Sequence, residues 1–215
     1  DLVGDIQVRT APAFGESFGA PKKRGHEPAT RGARLTTRRP PRQVPSSYNE
    51  NLRSKPKIQR QFVASMNVVD AVNNNTCDPL QYVNFYANLI ASTDEYVVDV
   101  MEALARRGLI DDTLIIKTGD HGEVGMSHGG MRQKNYNMYE ETLRVPLIFS
   151  NPKLFPKPLR TSALVSHVDL APTLAALLGT PKASLPKYGF TGRDYSSILL
   201  DPVGAKPIQD YVMFT

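Results

Sequence analysis

One short segment, residues 118–134, concentrates side chains that could do chemistry. Its sequence, TGDHGEVGMSHGGMRQK, contains an aspartate, a glutamate, two histidines, an arginine, a lysine and five glycines. Asp120 and His121 closely follow the apolar run 114–116, which predicts a strand. Ligands collect at the carboxyl ends of strands in open α/β sheets, so this pair could form half of a metal site. Alone, the same residues would also fit a turn whose aspartate caps a helix and whose histidine is a surface residue.

Three further groups that can carry positive charge follow in the same glycine-rich loop: His128, Arg132 and Lys134. Beside a metal they would suit a tetrahedral oxyanion, either sulfate or phosphate. Lys134, a compact point charge, is the best candidate to bind the oxyanion and its leaving oxygen. His128 could protonate that oxygen as a general acid. Arg132 fits equally well as a structural partner of Glu140 or Glu141.

The elements around this loop are predicted from their periodicity. Apolar residues at three- and four-residue steps predict an amphipathic helix over 79–107, with Asp78 as its N-cap. Residues 169–179 predict a second, shorter helix with Asp169 or Ser166 as its cap. Each predicted helix is therefore preceded or begun by a residue whose side chain can cap its first turn.

Strands are predicted on both sides of the polar loop. The β-rich apolar runs 113–118 and 144–150 predict two strands, and 163–165 predicts a weak edge strand. Helix, strand, loop, strand and helix in this order indicate an α/β fold. The order predicts a mainly parallel sheet flanked by helices on both faces.

Charge and composition separate the first 60 residues from the rest. Residues 1–60 carry an excess of eight positive charges in a chain whose net charge is +5, and they are rich in Gly, Pro, Arg and Ser. They predict an irregular, basic segment lying over a domain formed by residues 61–215. Polyanion binding by this segment stays open. Nucleic acid is a poor candidate, because residues 22–42 contain no aromatic side chain on which bases could stack.

Cysteine content and hydropathy exclude two further features. A single cysteine, Cys77, excludes an internal disulfide, and no apolar run approaches the length of a membrane span. The sequence leaves the compartment and the oligomeric state open.

Several blocks of the sequence resemble, in order and approximate spacing, the sulfatase family of the alkaline-phosphatase superfamily. The blocks are 109–123, 127–130, Lys134, 139–141, 144–147 and 168–174. The resemblance covers roughly residues 45–200 and is most specific over 109–148. It implies an alkaline-phosphatase-like fold and metal-dependent hydrolysis of small anionic sulfate esters.

The resemblance also implies roles for individual residues. Asp120 and His121 match the family's second pair of divalent-metal ligands, and Lys134 matches the lysine that binds the sulfate or phosphate group. His128 matches a histidine near the leaving group in the branch that resembles phosphonate and phosphate ester hydrolases. His167 is expected to be a core residue rather than a ligand.

One part of the family pattern is not found in this sequence. Family members keep a Cys or Ser followed by x-Pro-x-Arg, after an early strand that ends in two metal-binding aspartates. Cys77-Asp-Pro-Leu-Gln81 carries glutamine in place of the arginine and directly precedes a helix, so Cys77 is interpreted as an ordinary thiol. The sequence is therefore expected to be the C-terminal part of a catalytic domain, and inactive alone. A formylglycine-type or Ser/Thr nucleophile is expected in a missing N-terminal part.

The metal and the scissile bond stay open at this level. The family favours calcium, but His121 stands where many sulfatases have asparagine, and an imidazole nitrogen suits manganese or zinc better. One alternative function is therefore a phosphonate monoester or phosphodiester hydrolase of the same superfamily. An alternative of another class is a truncated, non-catalytic domain that binds polyanionic partners through its basic segment.

Overall fold

The structure, a computed structural model, describes residues 3–9, 43–72 and 78–212. The segment 10–42, which holds most of the basic charge of residues 1–60, and Cys77 lie outside these residues. The chain divides into two compact units. The sheet unit comprises Asp1–Ala11, Leu109–Glu123 and Met138–Thr215, and the helical unit comprises Pro12–Gly108 and Val124–Asn137.

A four-stranded sheet with the order β2-β3-β1-β4 forms the sheet unit among the described residues. The strands are β1 (Val3–Arg9), β2 (Ile115–Thr118), β3 (Val145–Ser150) and β4 (Leu159–Thr161). β1 pairs with β3 in parallel, whereas β2 with β3 and β1 with β4 are antiparallel. The described sheet is therefore mixed, which corrects the prediction of a mainly parallel one.

The antiparallel pairing of β2 and β3 follows from the chain between them. A parallel pair needs a crossover connection, which is usually a full helix. The chain between β2 and β3 contains only two four-residue helical turns, Ser127–Gly130 and Glu140–Leu143. A polar loop rather than a full helix therefore returns the chain to the sheet, in agreement with the loop predicted between these two strands.

Two strands differ from the sequence prediction. β1 lies within residues 1–60, which the sequence predicts to be irregular. Gly4-Asp5 interrupts the apolar alternation of this strand, so its sequence does not show a clear strand pattern. The pairing with β3 shifts register between Val3 and Ile6, on either side of this interruption. The edge strand is Leu159–Thr161 rather than 163–165. In the latter run the Leu164 carbonyl accepts a hydrogen bond from the side chain of Gln209 instead of from a neighbouring strand.

The core of the sheet unit forms on one face of β3. Alternate residues of this strand, Val145, Leu147 and Phe149, are at most 3% exposed. They pack with Phe155, Val165, Tyr195, Ile198 and Leu199. Two helices border this core, α3 (Leu170–Leu177) and α4 (Ser196–Leu200). The capping box of Ser166 and Asp169 closes the 3-10 turn His167–Asp169, which leads directly into α3. Asp169 itself makes no side-chain cap hydrogen bond to α3.

The hydroxyl of Tyr195 is a buried polar group in this core. It has no hydrogen-bond partner among the residues that the structure describes, and its ring packs edge-on against Phe149. Burial raises the pKa of Tyr195 above its ordinary value, and the charge of Asp169 acts in the same direction. An unpaired buried hydroxyl costs free energy in the folded state.

We therefore expect Tyr195→Phe to stabilise the fold. Removing the hydroxyl should raise the free energy of unfolding by about 1 kcal/mol, because the desolvation cost disappears while the aromatic contact stays. Urea unfolding of the wild-type and variant proteins measures this. A loss of stability would mean that the hydroxyl makes a hydrogen bond in solution.

Two long helices form most of the described part of the helical unit, α1 (Lys57–Val72) and α2 (Pro79–Arg106). The Asp78 side chain accepts a hydrogen bond from the backbone N–H of Leu80, so the predicted cap of α2 is confirmed. No α2 side chain is buried. None of the helices in the described residues has the length and apolar character needed to cross a membrane.

Candidate active site

Asp120 and His121 lie together just beyond the end of β2, in the sheet unit. Asp120 Oδ2 is 3.2 Å from His121 Nε2, and Asp120 Oδ1 accepts a hydrogen bond of 3.0 Å from the His121 backbone N–H. The aspartate side chain is 85% exposed and the imidazole 33%. The pair therefore presents an oxygen and a nitrogen at an open strand end.

The hydrogen bonds of His121 determine which ring nitrogen can act as a ligand. Its Nδ1 is 2.8 Å from the carbonyl oxygen of Gly122. A carbonyl oxygen only accepts, so Nδ1 carries the hydrogen, and in the neutral ring the lone pair lies on Nε2, beside Asp120. Metal-ligating histidines commonly donate their second ring N–H to a carbonyl or carboxylate in this way.

The separation of the two atoms also suits coordination. With metal–ligand bonds of about 2.1 Å, two ligand atoms of one cation lie about 3.0–3.4 Å apart. The 3.2 Å between His121 Nε2 and Asp120 Oδ2 is within this range. Within the described part of the chain, no group of three or more His, Cys, Asp or Glu side chains could hold a metal ion. Asp120 and His121 therefore fit as two ligands of one cation.

A glycine next to this pair fixes its backbone. The Gly122 N–H donates to the Thr142 carbonyl at 2.8 Å, and a Cβ atom at position 122 would collide with the carbonyl oxygen of Glu141. Only glycine allows this close approach without moving the segment that leads into β3. The position of His121 therefore depends on residue 122 being glycine.

The loop that carries His128 and Lys134 belongs to the helical unit. Val124, Met126 and Met131 are at most 3% exposed, so the loop is anchored by buried apolar side chains. Backbone hydrogen bonds close it: Met126 N–H donates to the Met131 carbonyl, and Val124 N–H donates to the Gln133 carbonyl. Lys134 follows this last anchor and is exposed.

A turn upstream of α1 holds His128. The Nδ1 atom of His128 is 2.6 Å from Glu50 Oε2, and its backbone N–H donates to Ser47 Oγ at 3.1 Å. His128 has a left-handed backbone, with φ of 50°. The next N–H, of Gly129, donates to the Ser47 carbonyl at 3.0 Å. The turn therefore fixes both the ring and the backbone of His128.

The charge of Glu50 is stabilised by its neighbours. Its second oxygen, Oε1, is 3.0 Å from the ammonium group of Lys55. The hydrogen bond to His128, followed by the one to Lys55, lowers the pKa of Glu50 below its ordinary value. Glu50 is therefore an ionised acceptor for the imidazole at neutral pH.

The family model for Sulfatase matches residues 23–180, well over half of the sequence. The chain belongs to the sulfatase family. The predicted resemblance is therefore confirmed.

Curated relatives of this sulfatase family member match a limited region. Bovine arylsulfatase K (Bos taurus) is 36% identical over 97 residues, which is 45% of this chain and 17% of the relative. Human arylsulfatase K is 34% identical over 97 residues, 45% of this chain and 18% of the relative. N-acetylglucosamine-6-O-sulfatase from Bacteroides thetaiotaomicron is 33% identical over 99 residues, which is 46% of this chain and 17% of the relative. The match spans less than a fifth of each of these three relatives.

Solved structures confirm the predicted alkaline-phosphatase-like α/β fold. A protein from Bacteroides fragilis described as a sulfatase superposes with a TM-score of 0.50 and 24% identity, over 76% of this chain and 34% of that one. A Bacteroides thetaiotaomicron protein from a glycosaminoglycan metabolism locus superposes with a TM-score of 0.50 and 20% identity, over 80% and 34%. At these identities the likeness shows the fold.

Within this chain, the four predicted site residues are divided between the two units. Asp120 and His121, which belong to the sheet unit, contact each other. His128 and Lys134 belong to the loop of the helical unit. The segment 118–134 therefore carries candidate site residues in both units, and the roles of all four residues stay predictions.

The site of the sheet unit has a supporting residue that the sequence did not reveal. His167 Nε2 is 2.8 Å from the carbonyl oxygen of Gly119 and must donate to it. His167 begins a 3-10 turn that ends at Asp169, a carboxylate only 2% exposed. The half-buried imidazole therefore links the backbone just before Asp120 to a buried anchor.

Proposed function

We propose that the full-length protein is a metal-dependent sulfatase that hydrolyses small anionic sulfate esters, and that this chain is the C-terminal part of its catalytic domain. Membership of the sulfatase family supports hydrolysis of sulfuric esters in general. The observation that carries the proposal for this chain is the contact between Asp120 and His121, with His121 Nδ1 bonded to a carbonyl.

Asp120 and His121 would hold one divalent cation, through Asp120 Oδ2 and His121 Nε2. When bound, the cation polarises the ester oxygens and lowers the pKa of the nucleophile. Calcium is the family's ion, whereas the imidazole suits manganese or zinc. The remaining ligands and a formylglycine-type nucleophile are expected outside this sequence.

Lys134 and His128 would act on the ester itself. The nucleophile attacks sulfur, and the bond from sulfur to the alcohol oxygen breaks. Lys134 neutralises negative charge that develops on the sulfate oxygens and the leaving oxygen. His128 gives its proton to the departing alkoxide, so that a neutral alcohol leaves. A covalent sulfate ester of the nucleophile is left and then breaks down.

A substrate series on the full-length protein tests the proposal. The series consists of nitrophenyl sulfate, nitrophenyl phosphate, bis(nitrophenyl) phosphate and nitrophenyl phenylphosphonate. We expect the highest kcat/KM for the sulfate, and no turnover by residues 1–215 alone. His121 and His128 favour the second candidate, a phosphonate monoester or phosphodiester hydrolase. A higher kcat/KM for the phosphonate or the diester would assign that function instead.

We also expect His121→Ala to weaken divalent-metal binding by the full-length protein at least about 100-fold. The substitution removes one ligand outright, and losing even a supporting group commonly costs 10- to 100-fold in affinity. Competition with a chelator, followed by metal analysis, measures the change for calcium, manganese and zinc. The control is Asp111→Asn, an exposed carboxylate in the same unit. Equal affinities for the wild-type and His121→Ala proteins would remove His121 from the metal site.

A further inference from the structure

We propose that Glu50 is a positioning residue for His128: it holds the imidazole with Nδ1 protonated, so that Nε2 is the nitrogen that gives its proton to the leaving alcohol. This inference rests on the proposed function, since that function makes His128 the acid. It adds a residue from a different part of the chain, 78 positions upstream.

The short contact determines the direction of the hydrogen bond. Glu50 Oε2 and His128 Nδ1 are 2.6 Å apart, and the other carboxylate oxygen pairs with Lys55. The His128 contact and the Lys55 contact keep the carboxylate ionised, as the lowered pKa of Glu50 indicates. An ionised carboxylate has no hydrogen to donate, so Nδ1 must supply it. Nε2 is then the ring position at which a proton can be gained or lost during turnover.

The surroundings keep this geometry fixed. The His128 side chain is only 18% exposed, and Glu50 is 27% exposed. The left-handed backbone of His128 costs free energy, and the turn that contains Ser47 holds it through two hydrogen bonds. A Cβ atom on Gly129 would come within 3.1 Å of the Glu50 carbonyl oxygen and of a Leu52 methyl group. Loop and turn are therefore packed closely enough to define the ring orientation.

The alternative is that the Glu50–His128 bond only joins the turn to the loop. If the bond is purely structural, removing it should lower the rates for all substrates by the same factor. A positioning role has a different consequence, because protonation of the leaving group matters more as the alcohol becomes a poorer leaving group. The two roles are therefore separated by the leaving-group dependence of the rate.

The kinetic experiment compares nitrophenyl sulfate with an alkyl sulfate, using the full-length enzyme. We expect Glu50→Gln to lower kcat/KM about 10- to 100-fold for the alkyl ester and less than about threefold for the nitrophenyl ester. His128→Gln should show the same pattern, and adding Glu50→Gln to it should cause little further loss. Glu102→Gln, the same substitution at an exposed residue of α2, is the control. Equal losses for both esters with Glu50→Gln would overturn the inference.

Two further variants serve as controls for effects of the substitutions on folding and loop structure. Ser47→Ala removes the hydrogen bond to the His128 backbone and leaves the ring contact in place, so it should not reproduce the leaving-group dependence. Glu50→Asp keeps the charge on a shorter side chain, and it replaces Glu50→Gln if the latter does not fold. A leaving-group dependence in Ser47→Ala equal to that in Glu50→Gln would assign the effect to the loop and would overturn the inference.

A second measurement does not depend on turnover. Nitrogen-15 NMR of histidine-labelled protein, assigned with His128→Gln, should show the Nδ1–H tautomer for neutral His128. The preference should weaken in Glu50→Gln, because a neutral amide can serve as donor or acceptor. An Nε2–H tautomer in the wild-type protein would overturn the inference. Absence of sulfate-ester cleavage by the wild-type enzyme would instead overturn the proposed function, and the NMR result would still show whether Glu50 orients the ring.

Discussion

Replacing Lys134 by alanine in the full-length enzyme is expected to lower kcat/KM for nitrophenyl sulfate by about 100- to 1,000-fold. Removing one well-placed group that stabilises developing negative charge costs a factor of this size in acyl-transfer enzymes, and the same electrostatic argument applies to transfer of a sulfate group. The loss should appear mainly in kcat if Lys134 acts on charge that develops in the transition state. Steady-state kinetics measures both parameters.

The loop geometry explains why a lysine at this position could act so strongly. The backbone before it is fixed by the hydrogen bond between Val124 and Gln133. After it, the Tyr136 carbonyl accepts from the Gln59 side chain at 3.0 Å, and the Tyr136 ring packs edge-on against Phe62. A long, exposed side chain is thus attached to a rigid base. Less entropy is lost when such a side chain meets an anion than when its backbone is mobile as well.

The expected result has a clear control and a clear contradiction. Lys157→Ala, at an exposed lysine of the sheet unit, should leave kcat/KM unchanged. Lys134→Arg should recover only part of the activity, since the guanidinium group is larger and planar. Thermal unfolding should be little affected by Lys134→Ala, because the side chain is exposed. A rate for Lys134→Ala equal to that of the wild-type enzyme would remove Lys134 from the mechanism.

The sequence predicted best the elements that local interactions determine. The helix Pro79–Arg106 agrees with its periodicity to within a residue, and its Asp78 cap is formed. The capping box of Ser166 and Asp169 is likewise a contact between residues three positions apart. Periodicity and capping depend on side chains within a few residues of each other, so the sequence contains the information directly.

The sequence failed where distant segments decide the structure. The strand Val3–Arg9 gains its hydrogen bonds from β3 and β4, more than a hundred residues away. The antiparallel return of β3 onto β2 depends on the path of a long polar loop. Leu159–Thr161 forms the edge strand because it pairs with β1, although the neighbouring run 163–165 is more apolar. Such pairings are chosen by tertiary context, which a local pattern does not record.

The same distinction applies to the candidate site. Asp120, His121, His128 and Lys134 lie in one segment and could be selected by residue type. Glu50 and His167 could not, since their partners lie 78 and 48 residues away in sequence. Glu50 bonds the ring of His128, and His167 donates to the carbonyl of Gly119, the residue before Asp120. The sequence therefore contains the candidate site residues, and only the fold shows what holds them.

The second large effect is expected for Asp169→Ala, which should lower the free energy of unfolding by about 3–5 kcal/mol. Asp169 Oδ2 accepts from the Ser166 N–H at 2.8 Å and the Gln209 side chain at 2.9 Å, and Oδ1 accepts from the Arg193 N–H at 2.7 Å. The substitution leaves three donors without an acceptor in a site where water is largely excluded. Urea unfolding of the wild-type and variant proteins measures the loss.

Two further substitutions provide stability losses with which the loss in Asp169→Ala can be compared. Asp201→Ala removes an exposed carboxylate that accepts one hydrogen bond, from the Gly204 N–H, and should cost less than about 1 kcal/mol. Asp169→Asn keeps the shape but replaces one acceptor oxygen by a donor, so its cost should lie between the other two. Because the turn of His167 depends on Asp169, Asp169→Ala should also weaken metal binding at Asp120 and His121 in whatever fraction stays folded. An alanine variant as stable as the wild-type protein would show that these donors find other acceptors, and that the strand end does not rely on Asp169.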